Sequence, residues 1–169
     1  HQRFIDHFRR LFGDAELIDT HISSVLLTPA AVYKFKKPVD FGFLDYGTLE
    51  RRRRFCTEEI RLGERGAPGL YDGVVAVYGS IDAPTLEPEG VPIAYAVQMR
   101  RFDERQQLDN LLQSGKLEPS HMDAVAVKLN TFHRTAALTD ARSGYGTPTA
   151  VLQPMLENIE HLDTLLGPE

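Results

Sequence analysis

The alternation of apolar and polar residues divides the first part of the chain into one helix and several short strands. Apolar side chains recur at helical spacing near the N-terminus, which predicts an amphipathic helix over residues 3–12. Three strand-like pieces follow, at residues 17–19, 25–27 and 31–36. Thr28-Pro29-Ala30 has the composition of a hairpin connection between the last two pieces.

The middle of the chain predicts a helix and two more strands. Thr48 is a suitable N-cap for a helix that runs to about Gly63. Residues 73–81 and 92–102 are rich in β-branched and aromatic side chains and predict two antiparallel strands. The polar sequence DAPTLEPEGV between them predicts a loop.

Helices dominate the rest of the chain, over residues 106–113, 120–137 and the C-terminal end. The last helix has an apolar face made of residues three or four positions apart: Met155, Ile159, Leu162 and Leu166. Five strands interrupted by one helix, with the other helices at the end, predict an α+β fold. We expect a five-stranded antiparallel sheet with the helix at residues 48–63 packed on it.

Composition and charge exclude several classes of protein. The 169-residue chain is 42% apolar, which is enough for a packed core, and its net charge of −5 argues against a general nucleic-acid binder. No apolar run reaches membrane-spanning length. Cys56 is the single cysteine, so no disulfide within the chain can form, which fits the cytoplasm. His21, His121 and His133 lack a metal-ligand spacing, so no zinc site is expected.

Lysines on the third predicted strand and glutamates on the next helix form the candidate site. Lys34 and Lys36 are two positions apart, which puts both side chains on one face of a strand, and Glu58 and Glu59 follow on the helix. In protein kinases a third-strand lysine holds nucleotide phosphates, and a helix glutamate orients that lysine. Edge strands also carry solvated lysines, and the pattern by itself favours that alternative.

A run of four arginines at residues 51–54 suggests a nucleic-acid contact at first sight. Four consecutive helical residues point in several directions, so the run predicts a solvated helix face instead. We expect one of these arginines to pair with Glu50 or Glu58.

Several longer sequence segments resemble those of a bacterial protein family. THISSVLLT, VYKFKKPVDFGFLDYGTLERRRRFCTEEIRL, APGLYDGVV, YAVQMRRFD and FHRTA follow one another over nearly the whole chain. Together they resemble the aminoglycoside-phosphotransferase-like proteins, which are often fused to a C-terminal P-loop ATPase or kinase-like domain. The resemblance implies a protein-kinase-like fold and transfer of phosphate from ATP, with Mg²⁺, to a small-molecule hydroxyl. The acceptor is not identified by it.

The resemblance implies nucleotide-binding roles for particular residues. Lys34 matches the phosphate-binding lysine, with Lys36 as the alternative. Glu59 matches the helix glutamate, with Glu58 next. The other implied nucleotide-binding residues come from a loop that lacks the G-x-G-x-x-G spacing and from the hinge word AVQMRRF, whose backbone would contact adenine: His21 and Ser23 in the loop, and Gln98, Met99 and Arg101 at the hinge.

The resemblance also implies that the catalytic residues lie elsewhere. The family's base aspartate and magnesium-binding aspartate follow Phe132-His133, and the sequence from there to Glu169 has no H-G-D or D-F-G-like segment. No P-loop motif occurs either. We therefore expect residues 1–102 to be a kinase-like small lobe and residues 103–169 the first helices of an incomplete large lobe.

Such a part of a phosphotransferase is expected to be inactive by itself, with no catalytic residue and no metal ligand in this chain. Two alternatives remain open: a non-catalytic nucleotide-binding or regulatory lobe, and an interaction domain attached to a P-loop ATPase domain. The expected partners are a nucleotide and an unidentified acceptor, without nucleic acid or membrane. Self-association through exposed apolar helices is also expected.

Overall fold

The protein combines an antiparallel sheet with helices, so its α+β class is confirmed. The computed structural model describes residues 1–13, 15–140 and 142–167. The chain divides into two compact units, His1–Met122 and Asp123–Glu169. The division between residues 102 and 103 that the resemblance implies stays a prediction.

Strands and helices largely follow the predicted pattern. The strands are β1 Glu16–Asp19, β2 Ser23–Leu27, β3 Ala31–Lys36, β4 Tyr71–Gly79, β5 Pro84–Thr85 and β6 Ala94–Arg100. The helices are α1 Gln2–Arg9, α2 Leu49–Gly63, α3 Leu108–Gln113, α4 Pro119–Thr135 and α5 Pro148–Leu166. Short 3₁₀ turns follow α1 and precede α3.

The sheet has six strands in the order β1-β2-β3-β6-β4-β5, so the prediction of five strands is wrong. The additional strand, β5, lies inside the sequence that predicted a loop, where Thr85 pairs with Tyr78 and Pro84 pairs with Gly79. Gly79 turns the chain with a φ of 82°, which a residue with a side chain adopts only at a cost. Proline fits this position because β5 is an edge strand.

One face of the sheet packs against α1. Phe8 is fully buried, and its ring centroid lies 4.9 Å from that of Phe35 and 5.7 Å from that of Tyr33. Ala31, Tyr33 and Phe35 alternate along β3, so all three belong to this core. The other residues of β3, including both lysines, therefore project from the opposite face.

Helix α2 contacts β4 and β6. Its start is the predicted one, because the Thr48 hydroxyl accepts a hydrogen bond from the Arg51 backbone N–H at 3.2 Å. The turn from Thr28 to Ala31 joins β2 and β3 as predicted, with the Thr28 N–H donating to the Ala31 carbonyl at 2.9 Å.

The second unit contains most of α4 and all of α5. Helix α5 is capped by Thr147, whose hydroxyl accepts a hydrogen bond from the Ala150 N–H at 3.2 Å. The predicted apolar face of this helix is exposed, and each of its four residues shows 52–81% of its surface to solvent: Met155, Ile159, Leu162 and Leu166. Within the described ranges, no helix combines the length and apolarity needed to cross a bilayer.

Candidate functional site

The candidate site is built around one carboxylate that two lysines share. Lys34 Nζ donates to Glu59 Oε1 at 2.8 Å, and Lys36 Nζ donates to Glu59 Oε2 at 2.6 Å. The predicted contact between the third strand and the following helix is therefore present, and both candidate lysines take part in it. Glu58 forms an exposed pair with Arg61 at 2.7 Å, so it is not the glutamate of the site.

The position of β3 explains why these lysines are not ordinary surface residues. β3 lies between β2 and β6, and Lys34 is directly opposite Val25 on one side and Val97 on the other. The alternative of solvated lysines on an edge strand is wrong for this reason. The Lys36 side chain is only 4% exposed, compared with 31% for Lys34 and 21% for Glu59.

Glu59 and Lys36 remain charged although they are largely buried, because they contact each other. Burial disfavours the Glu59 carboxylate, but the hydrogen bonds from Lys34 and Lys36 outweigh it and hold the pKa below its ordinary value of 4.5. Burial also disfavours the Lys36 ammonium, but the Glu59 hydrogen bond and charge raise its pKa above 10.5. The Lys36 ammonium also lies 5.0 Å from the centre of the Tyr46 ring.

A cavity of about 510 Å³ opens beside Lys34 on the same face of the sheet. Its volume falls in the range of roughly 300–1,000 Å³ that is typical of small-molecule sites. The apolar part of the wall is made by Ile18, Ile22, Val25, Leu27, Val32, Met99 and Phe102. The polar part is made by Thr20, His21, Ser23, Lys34, Arg100, Arg101, Glu104 and Gln107. Lys36 is outside this wall.

The loop between β1 and β2 forms one side of the cavity. Thr20 closes the turn, because its hydroxyl donates to the Ser23 carbonyl and accepts from the Ser23 N–H, both at 3.0 Å. His21 is exposed at this turn. Ser23 is 2% exposed, and its hydroxyl has no hydrogen-bond partner among the described residues. An unpaired buried hydroxyl is costly unless a ligand pairs with it.

The predicted hinge residues do not all reach the cavity. Met99 and Arg101 line it, and the Arg101 guanidinium donates to the Thr28 carbonyl at 3.1 Å. Gln98 is in the interior of the sheet, paired with Tyr33 on one side and Gly73 on the other, and does not line the cavity. The backbone of Gln98 lies between two neighbouring strands, and so does that of Met99, which pairs with Val32 and Tyr71. The expected backbone contact with adenine therefore extends to neither residue, although the Met99 side chain lines the cavity.

The four arginines at residues 51–54 interact with different neighbouring groups. Arg51 pairs with Asp45, and Arg52 donates to the Tyr46 carbonyl at 2.9 Å. Arg53 lies over the Tyr95 ring at 5.4 Å. The expected partner was Glu50 or Glu58: Arg51 pairs with Asp45 instead. The pKa of Glu58 is lowered by its hydrogen bond from Arg61 and, to a smaller extent, by the charge of Arg54. The contacts of Arg51, Arg52 and Arg53 hold α2 to the loop before it and to β6.

The sequence alone does not reveal several cavity residues. Glu104 and Gln107 lie outside every quoted motif, and only their place in the fold brings them to the wall. Thr20 and Phe102 belong to the loop and hinge motifs but were not named individually. Val32 could be predicted to share the strand face of Lys34, because the two residues are two positions apart on β3. Val25 joins them only through the register between β2 and β3.

No metal site is visible in the part of the chain that the structure describes. Within residues 1–13, 15–140 and 142–167, no three His, Cys, Asp or Glu side chains gather closely enough to hold a metal ion.

Comparisons with known proteins identify relatives without a described activity. Uncharacterized proteins of Mycobacterium tuberculosis and of Mycobacterium bovis are each 31% identical to the chain over 144 residues. The match covers 85% of this chain and 27% of each relative, so the chain spans about a quarter of their length. No family model matches the chain. No solved structure matches it either.

Proposed function

We propose that the chain binds ATP as the small lobe of a protein-kinase-like phosphotransferase. The observation that carries this proposal is the ion pair between Lys34 on the third strand and Glu59 on the next helix. Protein kinases use a lysine and a glutamate on the corresponding strand and helix to hold the nucleotide phosphates. Here the same two residue types meet at 2.8 Å beside a cavity of about 510 Å³.

The cavity offers complementary chemistry for the two ends of a nucleotide. Apolar side chains such as Val32 and Met99 suit the faces of a base, and we assign contact with the base edge to Arg101, which also lines the cavity. The Lys34 ammonium and the unpaired Ser23 hydroxyl suit phosphate oxygens. His21 at the β1–β2 turn belongs to the same proposed phosphate end.

The described residues do not suit Mg²⁺ in the same way. Magnesium in nucleotide sites is usually bound by one or two carboxylates plus the phosphates, and Glu59 is already engaged by two lysines. We therefore assign nucleotide binding to this chain and phosphate transfer, with its metal ligands and its small-molecule acceptor, to the longer protein. Use of ATP implies a cytoplasmic location.

Calorimetric titration of the 169-residue chain with ADP, ATP and adenosine tests the proposal. We expect ADP and ATP to bind more tightly than adenosine. Because a hydrogen bond to a charged group contributes about 1.5–3 kcal/mol, Lys34→Met should weaken ADP binding at least about tenfold. Lys37→Met is the matched control, since Lys37 also pairs with a carboxylate, Asp19, at 2.6 Å but does not line the cavity.

Two results would contradict the proposal: no nucleotide binding by the wild-type chain, or equal ADP affinity in the wild type and Lys34→Met. Chemical shifts of Ser23, Lys34 and Met99 that stay unchanged on addition of ADP would argue for another site.

A non-catalytic nucleotide-binding or regulatory lobe is the second candidate, because it would use the same contact between Lys34 and Glu59. Phosphate transfer to a small-molecule hydroxyl by the longer protein would distinguish an enzyme from this alternative.

A further inference from the structure

The site contains one lysine more than an ion pair requires. Each oxygen of the Glu59 carboxylate accepts from one lysine, Lys34 at 2.8 Å and Lys36 at 2.6 Å. The two lysines have different surroundings. Lys34 lines the cavity and is 31% exposed, whereas Lys36 is outside the cavity wall and only 4% exposed.

The net charge of the two lysines and Glu59 affects how strongly the site attracts an anionic ligand in the cavity. A single lysine paired with Glu59 would be neutral as a unit, so the carboxylate would offset part of the attraction between its ammonium and an approaching phosphate. With both Lys34 and Lys36 present, the group carries one net positive charge. Coulomb attraction to a phosphate tail depends on this net charge.

No other described carboxylate forms a salt bridge with either lysine. Besides Glu59, Tyr46 and Cys56 are the titratable groups that act on the Lys36 ammonium. Burial raises the pKa of the Cys56 thiol to about 11, so this group is neutral at pH 7. The positive charge is thus not cancelled within the described site, and Lys34 is the member of the group that faces the cavity.

We propose that Lys36 is a positioning residue that neutralises Glu59 and thereby leaves the charge of Lys34 available to the phosphate tail of a nucleoside diphosphate or triphosphate. This inference rests on the proposed nucleotide site. It assigns a role in phosphate affinity to a residue that does not touch the ligand.

The test measures the preference for ADP over adenosine by calorimetry in four variants of the 169-residue chain. Lys36→Met should reduce the preference about tenfold, as Lys34→Met does. Adding Glu59→Gln to Lys36→Met removes the neutralised carboxylate as well, so the preference should return to within about twofold of wild type. Lys37→Met should leave the preference unchanged.

The double variant separates an electrostatic role from a structural one. If Lys36 only held α2 in place, removing Glu59 as well would not restore the preference. A preference that stays low in the double variant, or stays high in Lys36→Met, overturns the inference. The Lys36→Met/Glu59→Gln protein has no charged side chain at position 36 or 59. Its nucleotide preference therefore tests the inference even if Lys36→Met alone folds poorly.

A second measurement does not depend on nucleotide binding. The pKa of the Glu59 carboxyl group, followed by carbon NMR in the free protein, should rise in Lys36→Met, and Lys37→Met should leave it unchanged. An unchanged value in Lys36→Met overturns the inference. Lack of nucleotide binding by the wild type overturns the proposed function instead, so the two failures are distinguishable.

Discussion

The Lys36 ammonium lies 2.6 Å from the Glu59 carboxylate in a contact that is almost closed to solvent on the lysine side. Removing one partner of such a pair leaves an uncompensated buried charge. Glu59→Gln should therefore lower the free energy of unfolding at pH 7 by roughly 3 kcal/mol. Urea unfolding followed by circular dichroism measures this difference.

The same pair predicts a pH dependence. The pKa of Glu59 is lowered in the folded protein, so its contribution is present above the ordinary value of 4.5 and is lost as pH falls through the folded value. The raised pKa of Lys36 gives a contribution that is present below 10.5 and is lost as pH rises through the folded value. The difference in the free energy of unfolding between wild type and Glu59→Gln should thus become smaller in acid and in strong alkali.

Glu58→Gln is the matched control, because Glu58 is on the same helix but its pair with Arg61 is exposed. Its effect on the free energy of unfolding should be small beside that of Glu59→Gln. An equal effect of both substitutions would show that the Glu59 contacts are no stronger than a surface pair.

Gly63, the last residue of α2, lies against Tyr71 on β4. A Cβ at Gly63 would overlap the ring and hydroxyl of Tyr71. Gly63→Ala should therefore destabilise the protein by about 1–2 kcal/mol, although alanine is the better helix former. Thermal and urea unfolding measure the change. In a Gly63→Ala/Tyr71→Ala protein the two effects should be less than additive.

Gly66→Ala is the control for this prediction, since the nearest atom to a Cβ there is 3.8 Å away. We expect a change within about 0.5 kcal/mol. Stabilisation by Gly63→Ala would mean that Tyr71 moves aside without cost.

Cys56 is fully buried, and burial raises the pKa of its thiol to about 11. Because the thiolate is the reactive form, this cysteine should react with a disulfide reagent at pH 8 at least about 100-fold more slowly in the folded protein than in urea. Absorbance of the released thiol follows the reaction. Rapid stoichiometric labelling of the folded protein would contradict the buried position.

The exposed apolar face of α5 predicts self-association. Ile159 and Leu162 are more than half exposed at the centre of this face. Sedimentation velocity of the wild type should show a species larger than the monomer that grows with concentration, and Ile159→Lys/Leu162→Glu should remove it. Glu160→Lys, an exposed substitution on the same helix, should have little effect. A wild-type monomer at all concentrations would reject this prediction.

Much of the fold could be predicted from local sequence. The bounds of β3 agree with the prediction, and Thr48 caps α2 as expected. Side-chain alternation, caps and turn residues act over a few positions, so their signals are visible without the tertiary structure. Strand β5 was missed because its Pro84 and Thr85 form a strand only by pairing with β4.

The sequence by itself determined that two lysines share one face of β3 and that a pair of glutamates follows on α2. Only the tertiary structure decided that Glu59 meets both lysines, that Lys36 is buried, and that Lys34 faces a cavity. The same holds for Gln98, which strand pairing places in the interior of the sheet. The physical reason is that burial and charge pairing depend on strand order and register, which bring together residues far apart in the chain.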